Sequence, residues 1–170
     1  MNANKKVRIA TRGSKLALWQ AEYVSGLLAK EGLTAELNII KTEGDRVQDR
    51  FLHEMGGKGL FVKELEEALQ RGDADLAVHS LKDLPARIPQ GFTLPAILKR
   101  HIPNDVMIFR SDKGPVSGGL ISHEEMKKLG PLKIATASLR RQSLLRGLNQ
   151  NINLVPVRGN VDTRIRKLNE

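Results

Sequence analysis

The sequence predicts an α/β fold in which helices pack on a mainly parallel sheet. Strand-like apolar runs alternate along the chain with helical stripes of apolar residues, which is the pattern of this fold class. A length of 170 residues, with 40% hydrophobic and 28% charged residues, suits one sizeable domain or two small ones. In such folds ligands bind beyond the carboxyl ends of the strands, so functional residues are expected there.

The predicted elements are short. The strand-like runs are residues 7–10, 37–40, 75–78, 92–98, 106–109, 133–136 and 152–157. The helical stripes are residues 16–28, 61–69, 124–129, 139–148 and 161–169, with a shorter one near 47–52 inside a polar stretch, 42–59, that is expected to be a mobile loop. Ser14 and Ser122 precede helical stripes and are predicted N-caps.

The polar stretch between the fourth and fifth strand-like runs predicts a domain boundary. Residues 1–99 are assigned to a first α/β domain, 100–105 to a hinge and 106–170 to a second α/β domain. No apolar run approaches the roughly 20 residues of a membrane span. No signal-peptide core follows the start of the chain. These features predict a cytoplasmic protein with no membrane partner.

Positive charge is concentrated near the end of the chain. The net charge is +9, and residues 131–170 hold eight Lys or Arg against Asp162 and Glu170. Such a segment favours either nucleic acid or a concave site for a small polyanion. Phe, Trp and Tyr are absent from residues 131–170, so the bases of a nucleic acid would have no aromatic ring to stack on there.

The segment 79–85, with the sequence His-Ser-Leu-Lys-Asp-Leu-Pro, follows the apolar run 76–78. Pro85 would stop further sheet pairing. Lys82 and Asp83 therefore place one cation and one anion at the mouth of a loop, where an α/β fold binds its ligands.

Three turns combine Ser or Thr hydroxyls with Arg at the start of a helix: residues 11–14, 136–141 and 157–164. A helix N-terminus offers free backbone N–H groups, and Arg can hold a carboxylate or phosphate with two parallel hydrogen bonds. Three such turns predict a ligand with several negative groups.

Metal and thiol chemistry find no support in the sequence. The four His residues (His53, His79, His101 and His123) lack metal-ligand spacing, so they are assigned surface or packing roles and no metal site is predicted. The absence of Cys excludes disulfides and thiolate sites in these residues. Leu16, Trp19 and Tyr23 share helical spacing and are assigned to the core.

Five strings together resemble the N-terminal portion of the porphobilinogen deaminase (hydroxymethylbilane synthase) family. They are residues 8–20, 56–66, 79–85, 138–142 and 158–164, in the family's order. The resemblance implies a fold like that of type II periplasmic binding proteins, with two small α/β domains around a cleft, incomplete relative to the family. It implies a transferase of tetrapyrrole (haem) biosynthesis, which condenses four porphobilinogen molecules into hydroxymethylbilane with loss of ammonia.

The resemblance also implies roles for individual residues. Asp83 and Lys82 match the catalytic pair: Asp83 would stabilise the cation left by ammonia loss, and Lys82 would help hold substrate carboxylates. The positions that bind the acetate and propionate groups are matched by Arg12, Arg140, Arg141, Arg158 and Arg164. Supporting hydrogen-bonding positions are matched by Ser14, Gln20, Ser80, Thr136 and Ser138. Lys58 and Phe61 match a mobile loop over the cleft.

The chain departs from the family in two respects. It ends at Glu170, before the segments that complete both domains, and it has no Cys to which the family's dipyrromethane cofactor could be joined by a thioether. We therefore expect most of the cleft but no turnover by this chain alone, and open sheet edges that permit dimerisation. Two other readings stay open: a small-anion-binding module of the periplasmic-receptor type without chemistry and, less favoured, a nucleic-acid-binding protein.

Overall fold

Small parallel sheets flanked by helices make up the chain, which confirms the mixed α/β class. The computed structural model describes residues 6–42, 62–110 and 119–170. The chain divides into two units, Met1–Lys99 and Arg100–Glu170. The helix expected near residues 47–52 lies outside the described residues. Among the helices that are described, none is long and apolar enough to cross a membrane.

Unit 1 is built on a three-stranded parallel sheet. Strand β1 (Val7–Arg12) is central, with β2 (Ala35–Ile40) on one side and β3 (Leu76–Ala77) on the other. The β1–β2 register pairs Val7 with Ala35 through Arg12 with Ile40, whereas β3 pairs with β1 over two residues only. Parallel pairing brings the carboxyl ends of β1 and β3 to the same edge.

Each of the two helices described in unit 1 is followed by a glycine in the left-handed backbone conformation, which other residues rarely adopt. Helix α1 (Lys15–Lys30) and helix α2 (Lys63–Gln70) are followed by Gly32 and Gly72, with φ of +76° and +72°. In α1 the N–H of Leu33 donates to the Leu28 carbonyl at 3.0 Å, closing the turn that a left-handed residue makes possible. As predicted, Ser14 caps the start of α1, accepting a hydrogen bond from Ala17 N at 3.3 Å.

The core of unit 1 lies between the sheet and α2. Leu65 is fully buried and clusters with Ala10 and Ala74. On β1, Ile9 is also fully buried. At the edge, the Asp75 carboxylate accepts hydrogen bonds from Arg8 Nε (3.1 Å) and Nη2 (2.9 Å), which ties the start of β3 to β1.

Unit 2 repeats the strand–helix pattern on a smaller scale. Strands β4 (Lys133–Ala135) and β5 (Asn153–Val155) are parallel. The helices are α3 (His123–Lys128), α4 (Leu139–Leu148) and α5 (Val161–Asn169). Ser122 caps α3 as predicted, in a reciprocal capping box with Glu125. The buried Asn149 donates to the Met126 and Leu129 carbonyls, which satisfies the end of α3.

Several predicted elements were wrong. Residues 92–98 and 106–109 form no strand, and Ile97 and Val106 in these runs are 68% and 80% exposed. Apolar sequence favours a strand, but a strand exists only where a neighbour supplies the hydrogen-bonding ladder. Thr11 and Arg12, predicted in a turn, instead extend β1.

The aromatic stripe of α1 was also assigned wrongly to the core. Trp19 and Tyr23 stack on each other, with ring centroids 5.8 Å apart, and are 50% and 47% exposed. Leu16 is likewise about half exposed. The fully buried residue of α1 is Ala21, because a small side chain lets the helix backbone approach its neighbours closely.

Candidate anion-binding site

In unit 1 the predicted site residues gather at the carboxyl edge of β1 and β3. Arg12 is the last residue of β1 and is half-buried. The β1–β3 ladder pairs Ile9 with Leu76 and Ala10 with Ala77, and the charge of Arg12 acts on His79, which follows β3 by two residues. The turn that follows β3 thus starts next to Arg12.

The segment after β3 winds into a short 3-10 helix, Leu81–Asp83. The Asp83 N–H donates to the Ser80 carbonyl at 2.9 Å, and the Asp83 side chain is half-buried. Ser80 Oγ donates to Gln20 Oε1 at 3.0 Å, which joins this turn to α1. Lys82 is exposed. The structure thus brings Gln20 and Ser80 into direct contact and keeps Asp83 in the same turn.

His79 belongs to this cluster, although sequence reasoning gave it only a surface or packing role. Burial lowers the pKa of His79, the charge of Asp83 acts to raise it, and the charge of Arg12 acts to lower it. The imidazole therefore lies within electrostatic reach of both predicted site residues. The position of His79 directly after the apolar run 76–78 was the signal that could have identified it.

The His79 environment makes a testable prediction. Asp83→Asn should lower the pKa of His79 further, because it removes a negative charge, and Arg12→Gln should raise it by removing a positive one. Both shifts can be measured by NMR titration of the imidazole signals. Lys30→Gln, an exposed change at the end of α1, is the control and should leave the pKa unchanged.

The lowered pKa of His79 also makes the free energy of unfolding depend on pH. Because the folded pKa of His79 lies below its ordinary value of 6.5, the unfolded chain binds more protons between the two values. The contribution of neutral His79 to stability is thus complete above pH 6.5 and is lost as the pH falls through the folded pKa. A measured folded pKa above 6.5 would contradict this assignment.

In unit 2 the turn after β4 leads into α4. Thr136 is buried, and its Oγ1 accepts a hydrogen bond from Ser138 N at 3.2 Å. Ser138 caps α4 by accepting from Arg141 N at 3.4 Å. Gln142 Nε2 donates to the Thr136 carbonyl at 3.0 Å. The two hydroxyls therefore organise the turn, and Arg140 and Arg141 occupy the first turn of the helix.

The turn after β5 leads into α5 in the same way. Gly159 has φ of +109°, and a Cβ at this position would lie 2.7 Å from Thr163, so no other residue fits without displacement. Asn160 caps α5. Arg164 Nε donates to the Gly159 carbonyl at 2.8 Å, which folds this side chain back over the turn, and Arg158 is half-buried before it. Since β4 and β5 are parallel neighbours, both Arg-bearing turns lie at the same edge of the sheet.

One contact in unit 2 was missed entirely by sequence reasoning. The Asp105 carboxylate accepts hydrogen bonds from both Arg140 and Arg141, at 2.9 to 3.0 Å. Asp105 lies 35 residues before Arg140 and had been assigned to a hinge. Nothing in the local sequence signals this pairing.

Two predicted site residues, Lys58 and Phe61, lie outside the described residues. The other twelve lie in one unit or the other: Arg12, Ser14, Gln20, Ser80, Lys82 and Asp83 in unit 1, and Thr136, Ser138, Arg140, Arg141, Arg158 and Arg164 in unit 2. Within the described ranges, no group of three or more His, Asp or Glu side chains is arranged to hold a metal ion.

The fold and these turns define an α/β protein with Arg, Ser and Thr at the carboxyl edges of parallel strands, a class that binds small anions there. Residues 7–170 match the family described as porphobilinogen deaminase, dipyromethane cofactor binding domain. The chain belongs to the porphobilinogen deaminase family.

Curated relatives agree with this assignment. The porphobilinogen deaminase of Nitratidesulfovibrio vulgaris is 48% identical over 169 residues, which cover 98% of this chain and 50% of the relative. Those of Albidiferax ferrireducens and a Nitratiruptor species are also 48% identical, over 95% and 96% of this chain and 48% and 49% of the relatives. The chain thus spans about half the length of the curated relatives it matches.

Proposed function

We propose that this chain supplies substrate-binding and catalytic side chains of a porphobilinogen deaminase, the transferase that condenses four porphobilinogen molecules into hydroxymethylbilane. The observation that supports this most strongly is the family match over residues 7–170, together with the Arg-bearing turns at the carboxyl edges of both sheets. We include in the proposal a cytoplasmic location and a fold of the type II periplasmic-binding-protein kind.

The arginines are proposed to bind the acetate and propionate groups of the pyrroles. Guanidinium groups hold carboxylates with paired, charge-assisted hydrogen bonds. The structure has Arg12 at the end of β1, Arg140 and Arg141 in the first turn of α4, and Arg164 in the first turn of α5. A growing chain of pyrroles gains two carboxylates with each unit, which suits a site with several separate cations.

Asp83 is proposed to stabilise the positive charge that develops when ammonia leaves the aminomethyl carbon of porphobilinogen. A half-buried carboxylate is suited to this role, because a charge partly withdrawn from water interacts more strongly with a developing cation. Its backbone N–H donates to the Ser80 carbonyl, so the backbone that carries the carboxylate is held in the turn. Lys82, next to it and exposed, is proposed to bind a substrate carboxylate.

The carboxylates of the family's dipyrromethane cofactor fit these side chains, but its covalent attachment does not. Its carboxylates match the cationic turns, and Ser138, Arg140 and Arg141 would hold it. When bound, dipyrromethane supplies the pyrrole to which substrate units are added. The covalent thioether, however, needs a Cys, and these 170 residues contain none. We therefore propose that the chain binds pyrrole carboxylates without tethering the cofactor.

Calorimetric titration with porphobilinogen tests the proposal. The wild-type chain should bind, and Arg12→Gln or Arg164→Gln should each weaken binding by roughly tenfold, the loss expected for one charge-assisted hydrogen-bond pair. Lys167→Gln is the matched control, because it removes one exposed positive charge from α5 outside the proposed site. Absence of binding by the wild-type chain, or equal weakening by the control, would contradict the proposal.

A further inference from the structure

The Asp105 carboxylate is held by two adjacent arginines. Arg140 grips it in a fork, with Nη1 donating to Oδ2 at 2.9 Å and Nη2 donating to Oδ1 at 3.0 Å. Arg141 approaches Oδ1 with Nε and Nη2, both at 2.9 Å. The three side chains thus form one hydrogen-bonded cluster, which we call the Asp105 cluster.

The helix that carries Arg140 and Arg141 does not by itself bring their guanidinium groups together. They are neighbours in the first turn of α4, where their like charges repel. Their side chains are 61% and 41% exposed, so little packing restricts their rotamers. Asp105 is therefore the group that draws both guanidinium groups together. The hydrogen bond from Arg140 lowers the pKa of Asp105, as expected for a carboxylate held by cations.

The Asp105 cluster retains the capacity to bind an anion. Each guanidinium carries five N–H donors, and Asp105 uses only some of them. One negative charge against two positive charges leaves a net charge of +1. The cluster is thus suited to one further carboxylate, bound by the donors that do not face Asp105.

We propose that Asp105 is a positioning residue, which holds Arg140 and Arg141 in the orientation that binds a ligand carboxylate. The carboxylate ligand itself rests on the proposed function. The alternative is that Asp105 competes with the ligand for the two arginines. The two cases predict opposite effects when the charge of Asp105 is removed.

At physiological salt, the expected loss of affinity from freeing the two arginines exceeds the expected gain from removing the charge of Asp105, which favours the positioning role. Immobilising a long side chain on binding costs about two- to tenfold in affinity, and without Asp105 this cost arises for two arginines. Removing a negative charge from an exposed cluster improves anion binding by about fivefold at most, and salt reduces this gain further. Asp105→Asn should therefore weaken binding, by about fivefold.

The test measures calorimetric binding of two probes at 150 mM salt: porphobilinogen, and tricarballylate as a plain tricarboxylate. Asp105→Asn should weaken binding of tricarballylate by about fivefold. Glu124→Gln is the matched control: it makes the same change in net charge at an exposed position of α3 and should leave affinity unchanged or slightly higher. In NMR spectra, hydrogen exchange of Arg141 Nε–H should be slow in the wild-type chain and fast in Asp105→Asn.

A second variant, Asp105→Glu, keeps the proposal testable if Asp105→Asn does not fold. Asp105→Glu keeps the charge but displaces the carboxylate by one methylene, and should weaken binding by about two- to threefold. Unchanged or tighter binding by the variant that folds overturns the proposal, as does rapid Arg141 Nε–H exchange in the wild-type chain.

The two probes separate this proposal from the proposed function. If the wild-type chain binds tricarballylate but not porphobilinogen, and Asp105→Asn weakens tricarballylate binding, the proposed function fails while the role of Asp105 stands. If the wild-type chain binds neither probe, both fail.

Discussion

A polypeptide of these 170 residues, incubated with porphobilinogen, is expected to form no hydroxymethylbilane. The matched family model is that of a dipyromethane cofactor binding domain. The thioether implied by the family resemblance needs a Cys, and this sequence has none. The effect is all or none, because without a tethered primer no starting point for chain growth is retained between additions. Binding of porphobilinogen should nevertheless persist, since the arginines that would hold its carboxylates are present.

The measurement is uroporphyrin absorbance after oxidation of the reaction mixture. The full-length relative from Nitratidesulfovibrio vulgaris serves as the positive control, and a mixture without protein gives the background. Product above background from this chain alone would contradict the prediction. Because the same sample can be titrated with porphobilinogen, an inactive chain that binds is distinguished from one that is unfolded.

Truncating Leu65 to Ala is expected to lower the free energy of unfolding of unit 1 by about 2–5 kcal/mol, the range for deletion of a buried Leu side chain. Leu65 is fully buried and packs against Ala10 and Ala74, so the deletion leaves a cavity between α2 and the sheet. The neighbouring alanines are too small to fill it. The cost includes both lost burial and lost packing.

The control for Leu65→Ala is Leu16→Ala, the same chemical change at a residue that is 53% exposed, with an expected cost below about 1 kcal/mol. Urea unfolding can be followed by the fluorescence of Trp19, the single Trp of the sequence, which lies in unit 1. Equal midpoints for the two variants would show that the core is not centred on Leu65.

The helices are the part of the fold that the sequence predicts best, because their signals are local. Ser122 and Ser138 each accept a hydrogen bond from a backbone N–H three residues on, within one turn of the chain. The bounds of α4 and α5 follow from such caps and from apolar spacing. The glycine after α1 is predictable for the same reason, since Gly32 tolerates the left-handed turn.

The strands and the polar cluster of unit 2 depend on residues far apart in the chain. Residues 92–98 have the composition of a strand, but composition does not supply a partner strand. Asp105 meets Arg140 and Arg141 across 35 and 36 residues, and no pattern within one element indicates that pairing. The electrostatic contact between His79 and Arg12 is hidden for a related reason, because Arg12 comes from β1, far from His79 in the chain.

The shortness of β3 has a consequence for local opening. Six residues of β2 pair with β1, whereas β3 contributes only Leu76 and Ala77. Amide groups in the segment that carries Asp83 are therefore held by fewer ladder bonds than those of β1, and this segment opens at a lower free energy than the central ladder. The Ser80–Gln20 hydrogen bond limits that opening from the side of α1. The short helix that carries Asp83 is thus expected to open while the β1–β2 pair stays closed.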